Sequence, residues 1–480
     1  MNEKFTPTRV RFAPSPTGDL HVGGLRTALY NFLFARKTGG RFILRIEDTD
    51  RERNLPDAHR EILKVLQICG LTPDEGPDCG GESGPYIQSQ RLDLYREHAR
   101  KLLSNGHAYP CFCSPEKLQQ LREEQLKRNE VPGHNHICRS IGREEAERRM
   151  LDEPHVLRLM VPLQGEIHHH DLVWGDLVFP CADLDDQILL KSDGYPTYHL
   201  ANVVDDHFMK ITHVIRGEEW LPSVPKHLLL YRFFEWDPPQ FAHLPLILNE
   251  KRQKLSKREG AGSVRIWLQR GIPPEALVNY LGLLGWHAKE DREFYTLPDL
   301  IQDFDLARVN KTGAVFDPVK LEWLSSEHLK RMDPAVLETR ARPFLRQTEF
   351  ADLPSPILRN LLLAVQERLH KLDELPDRLA PFSRTKAEPN EEARKWLETA
   401  SARVILSEIA ARWKESPRLD AEKMLNLVRE AGIATGIKGK DLWMPFRAAL
   451  TGGTTGPELR AILEYIGAEE AFSRLKKALR

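Results

Sequence analysis

Two short runs hold the residue types that could do chemistry. Near the start lies Arg11-Phe-Ala-Pro-Ser-Pro-Thr-Gly-Asp-Leu-His-Val-Gly-Gly24, and far along the chain Lys251, Arg252, Lys254, Lys257 and Arg258 crowd together. In the first run Pro14, Pro16 and Gly18 shape a turn, His21 falls in the first turn of an expected helix, and Gly23 and Gly24 carry no side chain to obstruct a ligand above it. The unpaired N–H groups of a helix start attract phosphate. The cationic run sits between an apolar strand-like stretch (Leu244 to Leu248) and a helix expected near Ser263, with Gly260 and Gly262 as hinges. Alone it is a solvated face. Paired with the first run it becomes a mobile cationic clamp, and the two together outline a nucleotide site.

The elements that must position these residues follow from periodicity. Val10 and Phe12 alternate with Arg9 and Arg11 as in a strand, and Leu25, Ala28, Leu29, Phe32 and Leu33 recur at helical spacing. Gly39 and Gly40 end the helix, and Arg41 to Glu47 reads as a second strand. The unit is βαβ, which builds a parallel sheet with ligands beyond its carboxyl ends. G-x-G-x-x-G is absent, so this is not the dinucleotide fingerprint.

The first run resembles the HIGH signature of class I aminoacyl-tRNA synthetases, in the longer P-S-P-T-G-x-L-H-V-G-G form of the glutamyl branch. Lys254-Leu-Ser-Lys-Arg258 resembles the same family's KMSKS loop, with leucine for methionine. The resemblance implies ATP activation of a carboxylate, with His21 and Lys257 stabilising charge on the phosphoryl groups. Pro14, Ser15, Gly18, His21, Gly23 and Gly24 would meet ATP from one side, and Lys254, Leu255, Ser256, Lys257 and Arg258 from the other. Mg²⁺ would come with the ATP phosphates.

A second cluster bears on the amino acid, Asp193-Gly-Tyr-Pro-Thr-Tyr-His-Leu-Ala-Asn202 followed by Val214-Ile-Arg-Gly-Glu-Glu-Trp220. Glutamate presents one ammonium and two carboxylates; Glu47 is placed to meet the ammonium, and arginine's planar fork suits a carboxylate. By resemblance, Arg11, Ser15, Tyr198, Asn202 and Arg216 line this pocket, and Arg216 separates glutamyl from glutaminyl specificity. The structural alternatives are a buried hydrogen-bonded pair for Tyr198 and Asn202, and a salt bridge from Arg216 to Glu218 or Glu219.

At 480 residues the chain exceeds one ordinary core. The expected architecture is α/β, a Rossmann-type parallel-sheet catalytic domain (1–107 and 191–250) carrying an inserted acceptor-stem-binding subdomain (108–190). Residues 251–328 follow as the lysine loop with a stem-contact helical region. Residues 329–480 form an all-helical anticodon-binding region, for example through Leu358, Leu361, Leu362, Val365, Leu369 and Leu372. Inside the insert, a charged helix is expected over 115–129 and strands over 156–161 and 171–179. The absence of strand spacing after 329 favours the glutamyl over the glutaminyl enzymes. Trp443-Met-Pro-Phe-Arg-Ala-Ala-Leu-Thr-Gly452 resembles the family's anticodon signature, with Arg447 and Pro457 as candidate contacts and Phe446 and Leu450 read as core.

Cys111-Phe-Cys113 and Cys138 match three ligands of a structural Zn²⁺ site found in part of the family, but the usual C-x-H ending is here Cys138-Arg-Ser140. His136 is the candidate fourth ligand, with His134 or Ser140 as alternatives; a site lost in this lineage is the other reading. His168-His169-His170 reads as exposed loop histidines. Six cysteines and a net charge of -1 exclude a secreted disulfide framework and a globally basic nucleic-acid binder. No run is long and apolar enough for a membrane span, and a reducing cytoplasm is the expected location. The expected activity is glutamate-tRNA ligation by a monomer, with glutamate, ATP and tRNA(Glu) as partners and tRNA(Gln) left open. A noncatalytic synthetase-derived tRNA-binding protein, or glutamyl transfer to a modified tRNA base, are the rivals.

Overall fold

The computed structural model describes residues 7–55, 57–130, 133–134, 136–255, 262–384, 388–415 and 419–480. The chain divides into two compact units, one formed by Met1–Ile266 with Leu277–Pro318, the other by Trp267–Ala276 with Val319–Arg480.

The first unit is built on the expected βαβ element, β1 (Arg9–Phe12), α1 (Val22–Lys37) and β2 (Arg41–Leu44), with β1 and β2 parallel and in register from Arg9↔Arg41 to Phe12↔Leu44. β2 ends at Leu44, earlier than its sequence pattern; Glu47 lies beyond it, tied by its N–H to the carbonyl of Pro14 at 3.0 Å. The alternation in β1 does not mark one wet face, because Arg11 is as buried as Val10 and Phe12. A parallel sheet is covered on both faces, so a polar side chain there must find an interior partner.

Within residues 108–190, β3 (Ala108–Cys111), β4 (Val156–Leu159) and β7 (Ile188–Leu190) form a three-stranded antiparallel sheet. The charged helix of this segment spans Pro115–Lys127. The stretch expected as one strand over 171–179 is instead the turn and second arm of a hairpin, β5 (Glu166–Asp171) and β6 (Gly175–Pro180). Asp171 Oδ1 accepts the N–H groups of Val173 and Trp174, each at 3.0 Å, and Gly175 takes a φ of 79°, which together force the reversal. The three histidines are strand rather than loop residues; His168 and His170 point outward and His169 inward.

β8 (His213–Gly217) and β9 (Gln240–Leu244) complete a six-stranded sheet of order β2-β1-β8-β9-β5-β6, parallel except at β5–β6. Between β7 and β8 runs α2 (Tyr198–Phe208), and between β8 and β9 runs α3 (Val224–Phe233). β10 (Ile247–Leu248) and β11 (Ala314–Val315) pair in parallel as a separate ribbon.

Among its described residues the second unit has no strand. Its helices include α4 (Ser355–Gln366), α5 (Ala400–Glu415), α6 (Ala421–Thr435), α7 (Lys440–Thr451) and α8 (Leu459–Ala478). Their apolar faces meet in one core that contains Leu358, Leu361, Ile405, Val428, Phe446 and Leu450, so the last two are packing residues, as their sequence context indicated.

Candidate active site

The carboxyl ends of β1, β2 and β8 open into a cavity of about 750 Å³ lined by Arg11, Ser15, Glu47, Tyr198, Asn202 and Arg216 among others. All six residues expected to hold the amino acid are therefore brought together. A neighbouring cavity of about 430 Å³, lined by His21, Gly23, Gly24, Lys254 and Leu255, shares Gly23, Gly24 and Thr27 with the first. A Cβ at Gly24 would stand 2.9 Å from a terminal methyl of Leu20, so a side chain there would have to displace that leucine.

His21 is the N-cap of α1, its Nδ1 accepting the N–H of Gly23 at 3.1 Å. That bond leaves the other ring nitrogen, Nε2, to carry the proton of the neutral ring. The backbone beyond the lysine loop is stitched to this turn: Val22 N–H donates to the carbonyl of Gly262 (2.9 Å) and Val264 N–H to that of Leu20 (3.1 Å). Lys254 bridges to Leu248 and Leu255 is buried. Ser256, Lys257 and Arg258 lie outside the described residues.

Two buried arginines, Arg11 and Arg216, line the larger cavity, a third, Arg45, is bonded to its lining residue Glu47, and their partners differ. Arg11 spends Nε and Nη2 on Asp206 (3.1 and 3.3 Å). Arg45 bonds Asp206 (2.6 Å) and Glu47 (3.0 Å), with Asp205 at 3.7 Å. Against its burial, Arg11 and Arg45 hold the Asp206 carboxyl below the usual carboxylate range. Glu47 also accepts from Asn202 (3.2 Å), and burial outweighs Arg45 and Arg11 to raise its carboxyl above the ordinary range.

Arg216 is 4% exposed and differs from both. Its Nη1 donates to the Tyr198 hydroxyl (2.9 Å), its Nε to His243 Nε2 (3.0 Å), and its Nη2 makes only a long contact with the carbonyl of Trp220 (3.4 Å). His227 Nδ1 lies 3.4 Å from Nη1. The bridge to Glu218 or Glu219 is not formed: Glu218 accepts the N–H of Leu246, and Glu219 lies 4.0 Å from Lys254. Among the described residues, Arg216 is a buried cation with neutral partners alone, beside a cavity. Burying an uncompensated charge costs several kcal/mol, so the arrangement calls for an anionic ligand.

Sequence reasoning did not find Arg45, Asp205, Asp206, His227 or His243. A signal was available for the acids, since Asp205-Asp206 interrupts an otherwise apolar helix face, and acids in such a run are buried only with partners.

At the antiparallel sheet, Cys111, Cys113, Cys138 and His134 bring their ligand atoms within 4.8 Å of one another. His134 Nε2 is 3.3 Å from Cys111 Sγ and 3.7 Å from Cys113 Sγ, and Cys113 and Cys138 sulfurs are 3.7 Å apart. Tetrahedral zinc with bonds of about 2.3 Å to sulfur separates its ligands by about 3.7 Å, so three sulfurs and one nitrogen at this spacing fit that ion. His134 rather than His136 completes the set. His136 Nδ1 faces Asp186 at 2.8 Å, and the Ser140 hydroxyl donates to the carbonyl of Ile137. Asp186 also accepts from Tyr109 (2.6 Å), whose oxygen is 3.2 Å from His134 Nδ1, so the imidazole is braced from behind.

In the helical unit, Arg447 Nη1 donates to the carbonyl of Pro457 at 2.9 Å, and burial together with Arg368 lowers the affinity of its guanidinium for the proton.

Comparison with known proteins agrees with this construction. Residues 7–323 match the model of tRNA synthetases class I (E and Q), catalytic domain, and residues 336–479 match an anticodon binding domain. The chain is 42% identical to a glutamate–tRNA ligase of Clostridioides difficile (strain 630), covering 97% of this chain and 98% of that protein. It is 40% identical to one from Finegoldia magna, covering 99% and 100%. Among solved structures it is similar to a glutamate tRNA ligase of Elizabethkingia meningosepticum in complex with its amino acid, with a TM-score of 0.91, 36% identity and 99% of each chain covered. The fold and both matched regions define a class I tRNA synthetase of the E and Q type. Within that class the chain belongs to the glutamate–tRNA ligases. The expected Rossmann-type catalytic domain and helical anticodon domain are thus both present.

Proposed function

We propose that the larger cavity binds L-glutamate and that the chain joins it, at the expense of ATP, to the 3'-terminal adenosine of tRNA(Glu). The observation that carries the reading is Arg216, a buried guanidinium whose only partners among the described residues are neutral. A side-chain carboxylate of the substrate supplies the missing charge. Glu47, beside Asn202, meets the substrate ammonium, and Ser15 and Arg11 line the same cavity.

The adjoining cavity at the start of α1 takes ATP, with Mg²⁺ accompanying its phosphates. The substrate α-carboxylate attacks the α-phosphorus, the bond to the β-phosphoryl oxygen breaks, and pyrophosphate leaves. His21, through Nε2, and Lys257 stabilise the charge that builds on the phosphoryl oxygens. A terminal-adenosine hydroxyl then attacks the acyl carbon and AMP departs. The chain is taken to act as a monomer, and six cysteines outside any disulfide suit the cytoplasm. Residues 108–190 are assigned to the acceptor stem, and Arg447 and Pro457 to the anticodon.

The same reading gives the sulfur cluster a structural Zn²⁺ held by Cys111, Cys113, Cys138 and His134. Such an ion would cross-link β3 to the segment containing His134 and Cys138, away from the chemistry.

Arg216→Gln tests the central assignment. Leaving a carboxylate without its cation in a desolvated site costs about 2 to 5 kcal/mol, whereas neutral glutamine loses far less. The ratio of kcat/KM for glutamate over glutamine should collapse, even if glutamine remains a poor substrate. An unchanged ratio would return Arg216 to a structural role.

A further inference from the structure

The polar groups behind Arg216 take no part in the steps above, yet they form a continuous, tautomer-specific chain. Asp171, at the end of β5, is fully buried. Its Oδ2 lies 2.6 Å from Nδ1 of His243, which is also fully buried. On the other side of that ring Nε2 meets Arg216 Nε at 3.0 Å, across the β8–β9 register in which Arg216 and His243 are partners.

The protonation of the imidazole follows from its two neighbours. A guanidinium nitrogen only donates, so His243 Nε2 must accept; an ionised carboxylate only accepts, so Nδ1 must donate. His243 is therefore the neutral Nδ1–H tautomer. Burial, aided by Arg216, pushes its pKa down to about 4 despite Asp171. Against burial, His169 and His243 hold Asp171 ionised well below the usual carboxylate range.

The second imidazole obeys the same logic. His227 Nδ1 faces Arg216 Nη1, and its Nε2 stands 3.2 Å from His199 Nδ1. Burial, then Arg216 and His199, moves His227 well below the ordinary histidine range; burial, then Lys226 and Arg216, moves His199 down to about 4. The guanidinium thus sits among neutral rings.

An aspartate placed directly on Arg216 would fix its orientation equally well, but it would also cancel the charge that a substrate carboxylate needs. Arg11 and Arg45 are held in that way by Asp206. Inserting one neutral imidazole between Asp171 and Arg216 separates orientation from neutralisation.

We propose that His243, itself aligned by Asp171, is a positioning residue for substrate selection: it fixes Arg216 through Nε while leaving the guanidinium charged and Nη2 open to a carboxylate. The inference rests on the assignment of Arg216 to the glutamate side chain. It extends that assignment to two residues which do not themselves line the cavity.

Three substitutions at His243 separate this role from simple packing. His243→Asn keeps a donor for Asp171 but is too short to reach Arg216, His243→Leu removes both bonds, and His243→Gln offers an amide oxygen at about the position of Nε2. In steady-state aminoacylation, the Asn and Leu variants should raise the glutamate KM by about tenfold or more while leaving the ATP KM within about twofold, and the Gln variant should restore most of the loss. Placed in an Arg216→Gln background, His243→Asn should add less than about a twofold further change, because the two residues act through one contact.

Glutamate KM unchanged in the Asn variant, an equal rise in the ATP KM, or a double variant whose effects multiply would each overturn the proposal. If the Leu protein fails to fold, the Asn and Gln pair decides alone, since Asn retains the donor for Asp171 and Gln the acceptor for Arg216. Failure of the underlying assignment has a separate signature: Arg216→Gln by itself would leave the glutamate-to-glutamine ratio intact.

Discussion

A buried arginine is informative only through its partners. Arg11, Arg45 and Arg216 look alike in the sequence, but two are held by carboxylates and one by a hydroxyl, an imidazole and a carbonyl. The first two support the wall of the cavity, and the third faces it with its charge intact. His21 carries a comparable double role, capping α1 through Nδ1 while the residue lines the cavity assigned to ATP. Loss of a cap costs about 0.5 to 2 kcal/mol of stability, which would confuse an alanine substitution. His21→Asn keeps an oxygen able to cap the helix and removes the ring N–H. It should lower kcat and kcat/KM together by about 10²-fold, with little change in Tm. Steady-state kinetics and a thermal melt on the same preparation check this, and near-native rates in the Asn variant would confine His21 to capping.

At the scale of elements, the opening βαβ unit was legible because hydrophobic period and glycine stops agree over residues 9–44. The β5–β6 hairpin was not. Its turn, Leu172-Val173-Trp174, contains no glycine, proline or asparagine of its own, the single Gly175 opens the second arm, and the apolar pattern runs on through it. The reversal depends on Asp171 accepting two backbone N–H groups, a device that sequence period does not record. The grouping of Cys111, Cys113 and Cys138 was legible in the sequence, but which histidine joins them was not, because which of two rings separated by one residue turns toward the sulfurs depends on Tyr109 and Asp186. Purified protein should contain about one zinc per chain, His134→Ala should lose it, and His136→Ala should retain it. Metal analysis of the three proteins prepared without chelators decides the matter; zinc lost from the His136 variant but kept in the His134 variant would reverse the assignment.

For the molecule as a whole, composition said little. A net charge of -1 gave no hint of RNA, yet the matched regions pair a synthetase catalytic domain with an anticodon binding domain. Charge balance over a long chain averages local basic surfaces against acidic ones, so the clue lay in two signatures and in a tail without strand spacing. That tail folds around its own core, with Arg447 and Pro457 bonded to each other beside it. That this chain joins glutamate to the end of tRNA is checked by incubating the purified protein with labelled glutamate, ATP and an unmodified tRNA(Glu) transcript, with and without its terminal adenosine. ATP-dependent label is expected on the complete transcript and none on the one lacking that adenosine. Binding of the transcript without charging, or label acquired only by tRNA carrying modified bases, would contradict it.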